Sequence, residues 1–234
     1  MKHALVAGAS RGLGLEFVRQ LLHRGDCVFA GCRHPEDSLG LQSLLARNSE
    51  RLHPLRLDVE DESSIADAVA TVLLKYERLD LLINSAGIYP RGETPQTVTA
   101  ETMLRAFRVN AVAPLLVARK FLDLLREGNA PKIVNISSKM GSLWWKQQEG
   151  GGDYSYCSSK AALNMITRTL ALDLLDDGII SVVVNPGWVQ TDMGGEAADL
   201  TCAESVEGLL KVIGGLTLKQ SGKFLAWDGT EHPW

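Results

Sequence analysis

Tyr156-Cys157-Ser158-Ser159-Lys160 sets a phenol and an ammonium four residues apart. On a helix that spacing stacks both side chains on one face, one turn from each other. A free tyrosine has a pKa of about 10 and is a poor acid at neutral pH. A neighbouring cation favours the phenolate, so Lys160 is expected to lower the Tyr156 pKa and suit the phenol to general acid–base work. Tyr154 has Ser158, not a lysine, four residues on and lacks that tuning. The plain alternative is an amphipathic helix with a core tyrosine and a solvated lysine. The motifs that accompany the pair decide between the two.

A first apolar run ends in Gly8-Ala9-Ser10-Arg11-Gly12-Leu13-Gly14, and a helical pattern begins there. Glycines at such a strand-to-helix turn allow a tight bend, a close backbone approach to a pyrophosphate, and close packing of helix on strand. The helix N-terminus adds oriented N–H groups and a favourable partial charge for an anion. The spacing is Gly-x3-Gly-x-Gly, so the Gly-x-Gly-x-x-Gly fingerprint does not describe it. The next strand ends Ala30-Gly31-Cys32-Arg33, with a guanidinium where an NAD-binding chain carries a carboxylate for the ribose hydroxyls. Arg33, with Arg11 from the glycine turn, suits a 2′-phosphate, which guanidinium pairs with bidentately and a carboxylate would repel. The expected cofactor is therefore NADP(H).

These residues need rigid elements beneath them, and the hydrophobic pattern supplies a candidate set. Apolar runs at 4–7, 27–30, 52–57, 79–83, 132–136, 179–184 and 223–227 read as strands. Segments 13–23, 63–76, 100–126 and 156–175 carry apolar residues at helical spacing. Continuous apolar strands alternating with helices imply a parallel sheet covered on both faces, and right-handed crossovers favour a doubly wound α/β arrangement. Residues 146–153, polar with three consecutive glycines, read as a loose stretch before the Tyr156 helix. The length and the lack of repeats or linkers point to one domain over 1–234.

Composition narrows the function classes. Hydrophobic content of 45% and charged content of 22% belong to an ordinary globular chain. A net charge of −4 supplies neither of the basic footprints that nucleic acid or an anionic membrane requires. No apolar run reaches membrane-spanning length, and no signal-peptide pattern precedes the first strand, so a cytoplasmic location is expected. Cys27, Cys32, Cys157 and Cys202 show no metal-ligand spacing, and the five histidines are scattered, so no metal is expected.

Taken together, the motifs resemble the short-chain dehydrogenase/reductase family along nearly the whole chain. Beyond the glycine turn there are Asn84-Ser85-Ala86-Gly87 after the fourth strand and Asn110 in the following helix. Ser137-Ser138 ends the fifth strand, and Pro186-Gly187-Trp188-Val189-Gln190-Thr191 follows the sixth. Segment 156–164 and the run from 186 to 234 look like the carbonyl reductases related to the sniffer and C-factor proteins. The resemblance implies a single Rossmann-type domain with about seven parallel strands. It implies Tyr156 as general acid, Lys160 as its tuner and as holder of the nicotinamide ribose, and Ser138 as partner of the substrate carbonyl. For the cofactor it implies Gly8, Ser10, Arg11, Gly12, Leu13 and Gly14 at the pyrophosphate turn, and Asp58 with Val59 at the adenine. It further implies Asn84, Ala86 and Gly87 at the ribose, and Pro186, Gly187, Val189 and Thr191 at the nicotinamide.

Asn110 also has a physical account of its own. Pro114 has no N–H to give the carbonyl of residue 110, so that carbonyl loses its helical partner and is expected to hold a water in a proton relay to Tyr156. The chain departs from the family pattern at Ala7, where Thr is usual, at Ser85, where a second Asn is usual, and in the 18 residues from Ser138 to Tyr156. The surplus falls in 144–153 and is expected to bulge outward. Trp144 and Trp145 in that loop, with Trp188, are expected to ring the mouth of an open cleft for an apolar or aromatic small-molecule carbonyl. A homodimer is expected. The rival expectation is a family member that keeps the cofactor but acts as a signalling or redox-sensing protein.

Overall fold

The computed structural model describes residues 1–148 and 150–234 throughout, and residue 149 in its backbone alone. The strands are β1 (His3–Ala7), β2 (Cys27–Cys32), β3 (Leu52–Arg56), β4 (Leu81–Asn84), β5 (Lys132–Ile136), β6 (Ile180–Asn185) and β7 (Phe224–Ala226). They form a seven-stranded sheet in the order β3-β2-β1-β4-β5-β6-β7, with every pairing parallel. Buried on both faces, β1, β2, β5 and β6 have no room for a polar-out alternation. In β1, Ala4 and Val6 enter one core while Leu5 and Ala7 enter the other, as a period of two requires.

Helices α1 (Gly12–His23), α2 (Leu39–Leu45) and α9 (Cys202–Gly215) supply Phe17, Leu21, Leu41, Leu209 and Ile213 to the first core. Helices α3 (Glu62–Leu73), α5 (Ala113–Lys120) and α6 (Leu122–Arg126) supply Ile65, Val72, Val117 and Leu124 to the second. Strand order runs outward in both directions from β1 and β4, so a crevice opens at their carboxyl ends. The remaining helices are α4 (Ala100–Phe107), α7 (Leu143–Glu149) and α8 (Tyr154–Asp173), and α8 brings Tyr156 to that crevice.

Two expectations are corrected. The 100–126 segment is not one helix: α4 passes into a π-helical turn at Arg108–Val112 before α5 and α6. Pro114 cannot donate, and the backbone widens so that the Ala113 N–H reaches back to the Arg108 carbonyl. The surplus before Tyr156 is not a loose outward bulge. Ser142 accepts from the Trp145 N–H as N-cap of α7, and its hydroxyl donates to the Pro233 carbonyl, which fastens the insertion to the chain end. Neither α2 nor α9 stood out by periodicity. A capping box does mark α9 in the sequence, Thr201 with Glu204.

Candidate active site

β1 stops at Ala7 because Gly8 takes φ 90 and turns the chain. The Gly8 and Ala9 N–H groups both donate to the Gly31 carbonyl at 2.8 and 3.0 Å, so the turn is pinned to β2. A Cβ on Gly14 would lie 2.0 Å from the Gly8 carbonyl oxygen, and one on Gly8 would lie 2.5 Å from the Ala86 nitrogen. The two glycines therefore let α1 and the 84–87 turn close on a backbone cradle. No side chain caps α1, whose N-cap Arg11 is extended. A helix start left open beside a close-packed glycine turn fits the pyrophosphate of a dinucleotide.

Around this cradle the expected cofactor residues divide. Ser10 fixes the turn to α2 by accepting from the Ser38 hydroxyl at 2.8 Å, Gly12 faces Thr191, and Leu13 lines the cleft. Arg33 stands exposed just past β2. Asp58 accepts from the Glu60 N–H at 3.0 Å, and Val59 packs on the second core. Arg11 is turned across the crevice into an ion pair with Asp192. The Asn84 side chain points into the fold and donates to Asn135 Oδ1 at 2.8 Å and to the Pro114 carbonyl at 3.3 Å. Only the backbone of Asn84, with Ala86 and Gly87, is left for a ribose.

Tyr156 and Lys160 lie one turn apart on α8, both buried, with the ammonium 5.7 Å from the phenol ring centroid. Lys160 Nζ donates to the Ile136 carbonyl at 2.7 Å. Burial pushes the Lys160 ammonium down to about 8, and it pushes the Tyr156 phenol up to about 12. The nearby Ser138 hydroxyl opposes the rise at Tyr156. The expected lowering of the tyrosine by lysine is thus overturned, because desolvation outweighs a cation that is directed at a carbonyl. A phenol in this state keeps its proton at neutral pH and is a weaker acid than free tyrosine.

Ser138 lies two residues past β5 and accepts from the Met140 N–H at 3.2 Å, which starts the short turn Lys139–Gly141. Ser137 donates to Asn164 Oδ1 at 2.6 Å. Asn110 is fully buried, and its side chain accepts from the Ile88 N–H and donates to the Ile88 carbonyl and to Ser159 Oγ, each at 2.9 Å. Sequence reading anticipated only its carbonyl, and these side-chain bonds carry no local spacing signal.

Of the catalytic candidates, Ser138 and Tyr156 line a cleft of about 610 Å³, while Asn110 and Lys160 are buried. Trp188 lines it and donates to the Gly194 carbonyl at 2.8 Å, next to Pro186, Gly187 and Val189. Thr191 accepts from the Gly194 N–H at 2.9 Å and braces the same turn. Trp144 and Trp145 are not on the wall. They pack edge to face on α7, and Trp145 donates to His232 at 3.3 Å. The insertion became a helix docked on the chain end, which draws both indoles away from the mouth. The sequence reading missed Tyr89, Arg91, Met140 and Met193, which do line the cleft. Arg91 donates to the Met193 carbonyl, so this contact and the Arg11–Asp192 pair both tie the 192–194 rim to the opposite wall.

Residues 2–200 match the family model described as short chain dehydrogenase. The chain belongs to the short chain dehydrogenase family. Among solved relatives, an NADPH-bound carbonyl reductase from chicken fatty liver is 41% identical, with a TM-score of 0.91 over 100% of this chain and 99% of its own. The carbonyl reductase Sniffer of Drosophila melanogaster is 33% identical, with a TM-score of 0.94 over the whole of both chains. The C-signal protein of Myxococcus xanthus is 44% identical over 156 residues, 67% of this chain and 93% of its own. Membership in this dehydrogenase family makes the chain an oxidoreductase.

Proposed function

We propose that the chain is an NADPH-dependent carbonyl reductase acting on an aldehyde, ketone or quinone, with Tyr156 as proton donor. The observation that carries this reading is a buried, protonated phenol that shares a cleft with Ser138, one turn from a buried lysine, where Leu13 of the glycine turn also lines the wall. NADPH, when bound, supplies the hydride to the carbonyl carbon. Tyr156 gives its phenolic proton to the carbonyl oxygen, and the product is an alcohol, or a hydroquinone where the substrate is a quinone. Ser138 donates to that same oxygen and stabilises its developing charge. Lys160 holds the nicotinamide ribose and offsets the phenolate left on Tyr156. The Asn110 carbonyl, which Pro114 cannot satisfy, holds a water that links Lys160 to solvent.

Arg33 is assigned to the 2′-phosphate, joined by Arg11 when it leaves Asp192. Thr191 is assigned to the carboxamide, and Asp58 with Val59 to the adenine. Tyr89, Met140 and Trp188 give the substrate half an apolar, aromatic wall, which favours aromatic or apolar carbonyls of broad type. We further propose a cytoplasmic homodimer, formed over the exposed Leu104 of α4 and Met165 of α8. The similarity to C-signal favours a second reading, a signalling protein with this fold and little turnover.

The test is NADPH oxidation with a panel of quinones, aldehydes and diketones, comparing wild type with Tyr156→Phe. Turnover abolished by the substitution supports the reductase. Absence of turnover on every substrate supports the signalling reading, and undiminished turnover in the variant removes Tyr156 as the acid.

A further inference from the structure

We propose that Glu93 is a positioning residue for the Tyr156 phenol, its carboxylate capping the catalytic helix from 62 positions away in the chain. A helix leaves its first N–H groups without intrahelical partners. Asp153, the N-cap of α8, does not meet that need: it sits left-handed at φ 51, ψ 42 and makes no side-chain cap. Its carboxylate instead accepts from the Tyr89 hydroxyl at 2.9 Å. Glu93 takes over the cap. One carboxylate oxygen accepts the Ser155 N–H at 2.7 Å, and the other accepts the Ser155 hydroxyl at 2.5 Å. Glu93 is 8% exposed and Ser155 is 0% exposed. A carboxylate so buried is costly unless bonded, and here it also faces the positive end of the helix.

The residue after Ser155 is Tyr156. Its ring lies against Tyr89 at 4.3 Å between centroids, tilted by 30°. The backbone of Ile88 is clamped by Asn110, whose other bond goes to Ser159 on α8. The segment after β4 is thus fastened to α8 at Asp153, Ser155 and Ser159, bracketing the phenol. Glu93 borders the cleft, but both of its oxygens are bonded to Ser155, so its assigned action is through the helix. The inference rests on Tyr156 being the proton donor, and the test separates the two.

Steady-state reduction of a carbonyl that wild type turns over is measured for E93A, E93Q, Tyr156→Phe and the Tyr156→Phe/E93A double variant, with NADPH Kd by fluorescence. E93A is expected to lower kcat by about tenfold or more with NADPH Kd unchanged, because misplacement by an ångström costs rate on that order. E93Q restores most of the loss, since its amide oxygen still accepts from the Ser155 N–H. In the Tyr156→Phe background E93A has no further effect, as expected for groups that act as a unit. The proposal is overturned by an E93A kcat within about twofold of wild type, by an equal fractional loss in both backgrounds, or by a loss that E93Q does not relieve. Should E93A not fold, E93D replaces it: its shorter carboxylate cannot reach both Ser155 groups, and it must lower kcat without changing NADPH Kd. Full activity in Tyr156→Phe alone refutes the proton-donor reading, and this inference falls with it.

Discussion

Replacing Asn110 by alanine separates two roles that this residue combines. The backbone carbonyl survives the substitution, so a pure relay role predicts an almost unchanged protein. The structure predicts otherwise, because the amide makes three hydrogen bonds, two to Ile88 and one to Ser159, each at 2.9 Å. At about 1 kcal/mol net per bond the loss is about 3 kcal/mol. Ile88 is half-buried, so water re-solvates its freed groups only in part and the figure is a lower bound. For a domain of this size each kcal/mol moves Tm by roughly 2–4 °C, so Asn110→Ala is expected to melt about 6–12 °C below wild type. Ser159→Ala removes one of the three bonds together with the Ser159 hydroxyl's own bond to the Tyr156 carbonyl at 2.8 Å, and is expected to cost about 2 kcal/mol, roughly 4–8 °C. Scanning calorimetry of both variants is the assay, with far-ultraviolet circular dichroism to show that each is folded at 25 °C. An Asn110→Ala midpoint within about 2 °C of wild type, or one no lower than that of Ser159→Ala, would refute the assignment of the side chain as the clamp.

Burial brings the Lys160 ammonium down to about 8, so kcat/KM for NADPH should fall as pH rises through that value while kcat/KM at pH 6–7 stays flat. A profile level to pH 9.5 would contradict a catalytic Lys160 cation. His3 Nδ1 and His53 Nε2 are buried without hydrogen-bond partners among the described residues, and burial lowers both imidazole pKa values. With folded values below the unfolded one of about 6.5, stability is intact above that pH and is lost as pH falls beneath it, by at most roughly 2.7 kcal/mol per pH unit for two protons. The urea midpoint should therefore drop between pH 7.5 and 5.5, and His53→Phe should flatten the drop; an unchanged wild-type midpoint would count against it. Trp188→Ala should raise KM for aromatic carbonyls, whereas Trp144→Ala should leave kcat/KM within about twofold, since that indole packs on Trp145 away from the cleft. Arg33→Ala should weaken NADPH far more than NADH in fluorescence titration, and equal weakening of both would remove Arg33 from the 2′-phosphate.

Much of this protein follows from local order in the chain. Continuous apolar runs alternating with helical periods already demand a two-faced parallel sheet, and strand positions follow within a few residues because burial on both faces keeps most strand positions apolar. The Gly8–Gly14 turn and the Tyr156–Lys160 spacing are legible for the same reason: each function depends on residues close in sequence, held by one turn or one helix. Pro114 signals a break in its helix, though not that the break would become a π turn.

What depends on distant partners was not legible. The Asn110 amide meets Ile88 and Ser159, and the Asn84 amide meets Asn135, through contacts that have no sequence period. The 144–153 insertion reads as a polar, glycine-rich loop, yet Ser142 caps it into a helix that docks on Pro233 and His232 and removes two indoles from the mouth. Likewise the pair Tyr156 and Lys160 announces proton chemistry, but its electrostatics belong to the fold. Helical spacing brings the charge near, while burial decides which way the phenol shifts, and here it pushes Tyr156 up to about 12. Desolvation is a property of everything packed around a group, so no window of sequence contains it.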